Sequence, residues 1–526
     1  MRNASIRSGQ HPVHRWVSVT FLGASLALIL WITLFPFDFL FDDARLGIGL
    51  QALIVGWGRS TGRDAFLNVL LFIPFGLSLG SFLRRQRRLS GRAILAVGLG
   101  VCCTTSYAIE VLQQFQPGRF PSLFDVLANS LGGALGLGGV YARVWVRQRP
   151  QLRLSAYGAY IALAFLLSIP LQRQTRLSNW ETAFPLLLGN EGTGNRPWRG
   201  SIAELYLADR ALSEAEVAQA FAHTNGSAPL PPALLAFYEL HGPGEYSDRM
   251  GHGPPLVWKG KAQDIQSGVG AVLGPHQWLA TPRAASWLTQ RIMATSQFTL
   301  GVMVATADPS QTGPARIVSL SRNPSYRNFT LGQRGDALVF RLRTPVTGKN
   351  GAEPELVVPA VFAATHPQHV AISYDGAVLR LYLNGVRQPH TFELTPGAVA
   401  FNMIFQRWFG SLQLWKLLYY ASLFLPVGQL LGHTLRLLHG RFAVRLLVIS
   451  VGVLGPALLL EGLLIYASGK AFAWDNLLLS LLLTALGLAN HCLPTRGPSH
   501  DASGPLLIPS GSRKPRPSWA RTARPG

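Results

Sequence analysis

The chain is poor in cysteine, in acid and in charge of any kind. Its three cysteines, Cys102, Cys103 and Cys492, are too few for a disulfide framework and show no metal-ligand or redox spacing. Charged residues make up 14% of the sequence, where an average soluble domain carries about 25%. No nucleophile motif, metal-ligand cluster or glycine-rich phosphate loop is present, so neither a catalytic residue nor a cofactor is expected. What is abundant is apolar sequence, and it comes in blocks.

Eight apolar runs lie near 17–36, 65–83, 93–113, 123–142, 154–171, 411–432, 443–466 and 473–490. Most approach the roughly 20 residues needed to cross about 30 Å of hydrocarbon. The first follows Arg2, Arg7 and Arg15 like a signal peptide, but it is long and no small-residue cleavage site follows, so it reads as a retained helix. Basic clusters (Arg84, Arg85, Arg87 and Arg88; Arg143, Arg147, Arg149 and Arg153; Arg436, Arg441 and Arg445; and the tail) fall on one side if every run crosses once. By the bias of Lys and Arg toward the cytoplasm, both termini are expected to be cytoplasmic and residues 172–402 external. The formal charge of +22 alternates loop by loop, a topogenic pattern, so membrane lipid and not nucleic acid is the expected partner.

A pattern occurs twice. Glu110, Gly118-Arg119 and Asp125 are answered by Glu461, Gly469-Lys470 and Asp475, with nine residues from Glu to the base each time. Leu71-Phe72-Ile73-Pro74-Phe75-Gly76 is answered by Leu423-Phe424-Leu425-Pro426-Val427-Gly428, and runs one and five are each stopped by a proline, Pro36 and Pro170. The expected architecture is a polytopic α-helical membrane protein of eight spans, in two parallel four-helix repeats related by an axis along the membrane normal.

The halves differ in one insertion. The short loop from Asp38 to Arg63, whose middle (Leu46 to Trp57) suits the membrane interface, is matched in the second half by residues 172–402. Phe298 to Val304, Ala337 to Leu342, His369 to Tyr374 and Leu379 to Leu383 read as strands, with turns at Asp375-Gly376 and Asn384-Gly385. This spacing predicts an all-β jelly-roll sandwich. The division is 1–153 for the first half, 154–171 for the fifth span, 172–402 for the sandwich, 411–490 for the last three spans and 491–526 for a Pro-, Ser- and Arg-rich tail expected to be disordered.

Several ordered landmarks carry a resemblance. Asp64-Ala65-Phe66-Leu67-Asn68, the Leu71 to Gly76 element, Glu110-Val111-Leu112-Gln113, Pro117-Gly118-Arg119, Asp125, Asn129 and Gly132-Gly133 together resemble the VanZ-like membrane family over about 120 residues. The second half departs from it: Lys416 and Tyr420 stand for Asp64 and Asn68, Leu464 for Gln113 and Leu479 for Asn129. The external region resembles a laminin-G/concanavalin-A-like domain through Tyr374-Asp375-Gly376, Tyr382 to Gly385, Leu188 to Glu191, Arg196 to Gly200 and Asp209 to Ser213. The block that usually closes such a domain comes first here. Circular permutation explains that order, since the ends of such a sandwich lie close together; a truncated copy before a complete one is the alternative. Related sandwiches often bind calcium, for which Asp375 is a candidate, against a turn role before Gly376. Glu214 and Glu216 read as the first turn of a helix capped by Ser213.

The candidate site lies in the first half. Asp64 and Asn68 are four apart, as are Asp125 and Asn129, so each pair shares a helical face. With Glu110, Gln113 and Arg119 they are expected to form an outward-facing pocket. Charge near hydrocarbon is costly and needs a reason. Three readings are open: a structural pin through Arg119, a seat for the head group of a lipid-linked glycan or other envelope lipid, and a catalytic carboxylate pair. The family resemblance implies a part in envelope properties, including glycopeptide susceptibility. The expected function is non-enzymatic display of a glycan- or protein-binding sandwich on a membrane base, with an enzyme or carrier for lipid-linked precursors as the alternative.

Overall fold

The structure is a computed structural model that describes residues 13–40, 55–57, 62–85, 89–117, 119, 121–147, 149–224, 226–232, 234–261, 266–267, 270–405, 411–438 and 442–492. The tail beyond 492 and most of the Asp38 to Arg63 loop, with the disorder and the interfacial segment expected of them, lie outside the described residues.

Eleven helices are described. They are α1 (Val13–Leu34), α2 (Gly62–Arg85), α3 (Gly91–Gln113), α4 (Leu123–Arg147), α5 (Pro150–Arg173), α6 (Glu214–Thr224), α7 (Ser286–Thr295), α8 (Pro396–Phe405), α9 (Leu412–Leu437), α10 (Phe442–Ser468) and α11 (Trp474–Cys492). Six of them, α2 to α5, α9 and α10, are long and apolar enough to cross a membrane. The first and last of the eight runs give shorter apolar stretches, Val19–Leu34 and Trp474–Ala489. In α11 the polar Asp475 and Asn476 occupy the first turn and shorten the apolar length. Leucines such as Leu166, Leu447 and Leu482 remain exposed on these helices, the side chains expected to face lipid. Pro170 does not stop its helix as expected. It lies inside α5, which continues for three residues to Arg173, although a proline there forfeits the backbone bond to the carbonyl four residues back.

Glycines set the helix packing. A Cβ on Gly76 would lie 2.2 Å from the carbonyl oxygen of Gly133, and one on Gly136 would lie 2.3 Å from that of Ile73, so α2 and α4 pack backbone to backbone. The same contacts recur between α9 and α11: Gly428 faces the Thr484 oxygen at 2.1 Å, and Gly487 faces that of Leu425 at 2.3 Å. Small residues permit this approach where lipid offers no hydrophobic drive for helix association. Helix α1 docks on α2 through Ser25 and Ser78, 3.0 Å apart. In the same manner α5 docks on α9, with the Tyr160 hydroxyl donating to the Ser422 carbonyl at 2.8 Å and Phe165 against Phe424.

Between α5 and α8 lies an antiparallel β-sandwich. One sheet has the order β12-β11-β10-β9-β1-β7-β4 and the other β15-β14-β13-β8-β2-β6-β5, with β3 also on β2. The strands are β1 (Leu186–Leu188), β2 (Gly200–Ala208), β3 (Ala236–Glu239), β4 (Val257–Gly260), β5 (Gln266–Ser267), β6 (Gly270–Leu273), β7 (Gln277–Ala280), β8 (Phe298–Thr306), β9 (Ala315–Asn323), β10 (Tyr326–Arg334), β11 (Ala337–Leu342), β12 (Leu356–Val358), β13 (Gln368–Tyr374), β14 (Val378–Leu383) and β15 (Val386–Glu393). The strands expected from alternation are all present. Alternate side chains meet between the sheets, where Phe298 stacks on Phe329 and Phe340 and tilts against Trp180 and Tyr374. Burying each such ring stabilises the fold by roughly 2–3 kcal/mol.

The early block is built into both sheets. β1 lies between β7 and β9 with Leu187 opposite Ala280 and Ser319, and β2 pairs along β8 from Gly200 to Ala208. Trp198, wholly buried between them, donates from its indole nitrogen to Gln333 at 2.8 Å.

The sandwich is seated on the second group of helices. The Tyr374 hydroxyl donates to the Thr175 carbonyl at 2.7 Å, Gln297 donates to that of Gly469 at 2.7 Å, and Gln172 to that of Leu394 at 3.3 Å. The turn after β13 presses on the α10–α11 loop, where a Cβ on Gly376 would sit 2.3 Å from the Ser468 oxygen.

Candidate functional site

The first candidate group forms where α3 ends and α4 begins. Glu110 is in the last turn of α3, and its buried carboxylate accepts the backbone N–H of Ser122 at 2.8 Å. Ser122 directly precedes α4, and its hydroxyl in turn accepts from the Phe124 N–H at 3.2 Å. A helix start leaves N–H groups unpaired and carries partial positive charge, so a carboxylate there is doubly favourable. One turn deeper, buried Asn129 donates to the Ser106 hydroxyl at 2.9 Å while its Oδ1 has no hydrogen-bond partner.

The other expected members divide. Asp125 stands half-buried in the first turn of α4, and it and Arg119 both act electrostatically on Glu110. Arg119 is exposed, and among the described residues no ion pair joins it to Glu110. Gln113 is turned away from this group: its amide donates to the Thr33 carbonyl at 3.0 Å. Gln116, which the sequence reading passed over, does the same to the Leu34 carbonyl at 2.6 Å. Both amides thus tie the end of α1 to the end of α3, the Leu34 carbonyl accepting the Phe37 N–H at 2.7 Å as well. Asp64 is exposed at the start of α2 and Asn68 is half-buried one turn on; no hydrogen bond joins Asn68 to Glu110 or Asn129 among the described residues.

The second half repeats the first bond with different partners. Glu461 accepts the N–H of Ala473, the residue before α11, at 2.8 Å, and Ala473 lies twelve residues on, as Ser122 does from Glu110. Here the basic residue does reach the carboxylate, for buried Lys470 donates to Glu461. The glycine contacts set the register between halves, with Gly133 answered by Thr484 and Gly136 by Gly487. By that register the counterpart of Asp125 is Asn476, and that of Asn129 is Ser480. This corrects the pairing with Asp475 and Leu479 read from the sequence. Helix α11 begins 13 residues after Glu461, as α4 does after Glu110, so it is Asp475 that stands one position early, which a comparison of isolated letters does not reveal. Asp475 instead pairs with Lys416 at 2.6 Å, and Lys416 pairs with Glu393 of β15 at 2.8 Å.

In the sandwich Asp375 is almost fully buried. It accepts from the N–H groups of Ala377 at 3.1 Å and Val378 at 2.9 Å and pairs with Arg380 at 2.7 Å, a turn-forming role. Among the described residues no group of three or more His, Cys, Asp or Glu could hold a metal ion. Ser213 and Glu216 form a reciprocal cap at the start of α6, each accepting the other's backbone N–H. A hydrogen bond from Arg210 holds the Glu216 carboxyl down at about 2. Sequence reasoning missed the buried pair of Glu191 and Arg316, 3.2 Å apart, to which Ser321 also donates. Charges more than a hundred residues apart give no local signal.

Residues 10–145 match the VanZ/LLP1 family, and residues 276–409 match the concanavalin A-like lectin/glucanases superfamily. The chain thus joins a VanZ-like domain to a concanavalin A-like domain, and the second match leaves out β1 and β2. No curated protein and no solved structure matches the chain significantly.

Proposed function

We propose that this is a cell-envelope protein of the bacterial cytoplasmic membrane that displays a glycan- or protein-binding sandwich outside. In the membrane base, a polar pocket in the first group of helices holds the head group of a lipid-linked glycan or a related envelope lipid. The observation that carries this reading is the contrast between the two carboxylates. Glu461 is neutralised from within by Lys470, whereas Glu110 has an exposed Arg119 nearby and, one turn deeper, an Asn129 oxygen without a partner. Unpartnered buried oxygens occur in both groups, Asn129 Oδ1 in the first and Glu461 Oε2 and Asn476 Oδ1 in the second; what sets the first apart is a carboxylate with no cation bonded to it among the described residues, beside an exposed arginine. Asp64, Asn68 and Asp125 belong to the same pocket in this proposal, and Gln113, turned to the end of α1, does not. Arg119→Ala should leave the amount of protein in the membrane unchanged and alter glycopeptide susceptibility. A fall in amount with no change of phenotype per molecule would leave only a structural pin.

The eight-span, two-repeat architecture is part of the proposal, supported by the recurring glycine contacts and the paired Glu bonds. Circular permutation of the sandwich is supported by the place of β1 and β2 inside both sheets. With both termini cytoplasmic, alkaline phosphatase fused near Gly351 should be active, and fusions near Gln86 or Ser510 inactive. The alternative, an enzyme or carrier for lipid-linked precursors, draws on the second carboxylate, Asp125, within electrostatic range of Glu110. It requires that Glu110→Gln and Asp125→Asn abolish turnover or flux.

A further inference from the structure

A second site lies at the seam between the sandwich and the helices, apart from the pocket proposed above and sharing no residue with it. There β15 ends beside the first turns of α9 and α11, enclosing a cleft of about 350 Å³ lined by Thr391, Glu393, Gln413, Lys416, Asp475 and Leu479. Lys416 is largely buried and held between two carboxylates, Glu393 at 2.8 Å and Asp475 at 2.6 Å. One ammonium between two carboxylates leaves the cleft one negative charge in excess. Asp475 itself is exposed at the mouth, as are Thr391 and Gln413.

The position of the cleft indicates what can reach it. Asp475 directly follows Trp474, which is 71% exposed and packs edge-on against the exposed Phe472 at 4.9 Å. Trp415, the residue before Lys416, stacks on Phe401. Aromatic rings gather at the level of lipid head groups, and here they bracket the ion triad at the ends of two apolar helices. Leu479, one turn into α11 from Asp475, supplies an apolar wall facing the membrane interior.

We propose that this cleft binds the aminoethyl phosphate head group of a lipid in the leaflet on the sandwich side. The primary ammonium of the head group would sit against Asp475 and Glu393 and offset the excess negative charge, with the Thr391 hydroxyl as a further acceptor. The phosphate would take the remaining N–H of Lys416 and the amide of Gln413. Charge-assisted bonds of both signs within one cleft select a zwitterion with a donating ammonium over a purely anionic head group. The bound lipid would fill the seam and fasten the sandwich to the bilayer.

The test uses the full-length protein purified in detergent, with bound lipid counted by native mass spectrometry and stability followed by thermal melting. Phosphatidylethanolamine should be retained and should raise the melting temperature, whereas phosphatidylglycerol should do neither. Asp475→Asn, and separately Thr391→Val at the exposed rim, should each weaken phosphatidylethanolamine binding, the former roughly tenfold for the loss of one charged contact. Equal retention of phosphatidylglycerol would overturn the proposal, as would unchanged binding by both variants. Displacement by soluble phosphoethanolamine at matched concentration would identify a free amine as the ligand and overturn the lipid assignment.

Discussion

The ammonium of Lys470 lies on the carboxylate of Glu461, both buried where α10 turns into α11. No such bond joins the corresponding pair, Arg119 and Glu110, among the described residues. The two carboxylates share one task, holding the N–H ahead of the next helix, and differ in whether their charge is matched internally.

That difference predicts unequal costs of substitution. Glu461→Gln leaves Lys470 buried without its counter-charge, and removing one partner of a buried pair costs about 3–5 kcal/mol. Glu110→Gln keeps an oxygen to accept the Ser122 N–H and should cost about 1 kcal/mol. Thermal unfolding of the detergent-solubilised protein measures both. Equal losses would mean that the Lys470 contact contributes nothing beyond the shared backbone bond.

The glycine seams predict a second contrast. Gly428→Ala places a methyl 2.1 Å from the Thr484 oxygen, whereas Gly462→Ala meets nothing within 4 Å on the neighbouring helix α10. The first should cost about 1–3 kcal/mol through forced separation of α9 and α11. The second should be neutral or slightly stabilising, as alanine is the better helix former. Membrane yield and melting temperature of the two variants are the readout.

Within the sandwich, β1 and β2 are predicted to be indispensable. Secreted alone, residues 172–402 should fold as a soluble β-rich monomer with one cooperative transition. Deleting 172–230 removes the strand between β7 and β9 and one of the two partners of β8, and should abolish that transition. Unchanged melting by circular dichroism would show the early block to be a remnant and permutation to be wrong.

Acid should weaken the same fragment through His369. Its ring is fully buried between Tyr206 and Phe221, its Nε2 lies 3.1 Å from the Tyr206 hydroxyl, and burial pushes its pKa down to about 4. A histidine held neutral in the fold binds its proton more readily once unfolded. Stability is therefore complete above the unfolded value near 6.5 and is lost as pH falls toward 4. Urea midpoints measured from pH 7.5 to 4.5 should decline, by up to about 3 kcal/mol in stability. His369→Gln should flatten that slope; an unaltered slope would assign it to other groups.

The sequence by itself determined a good deal. Apolar runs mark the helices because hydrocarbon tolerates little else, and alternation with Asp375-Gly376 and Asn384-Gly385 turns marks strands because side chains point to opposite faces of a sheet. The recurrence of Glu and a base at one spacing pointed to the matching backbone bonds that Glu110 and Glu461 make, while the recurring Asp did not mark equivalent positions. These signals are local, set by neighbours within one or two turns. Partners distant in the chain were decided only by the tertiary structure. Gln113 turns to the end of α1, Asp475 to Lys416 rather than to Glu461, and Glu393 joins the end of β15 to the helices. The register that matches Asp125 with Asn476 depends on which glycine meets which carbonyl across two helices. A hydrogen bond or close backbone contact depends on distances of a few tenths of an ångström, fixed only once every element has packed.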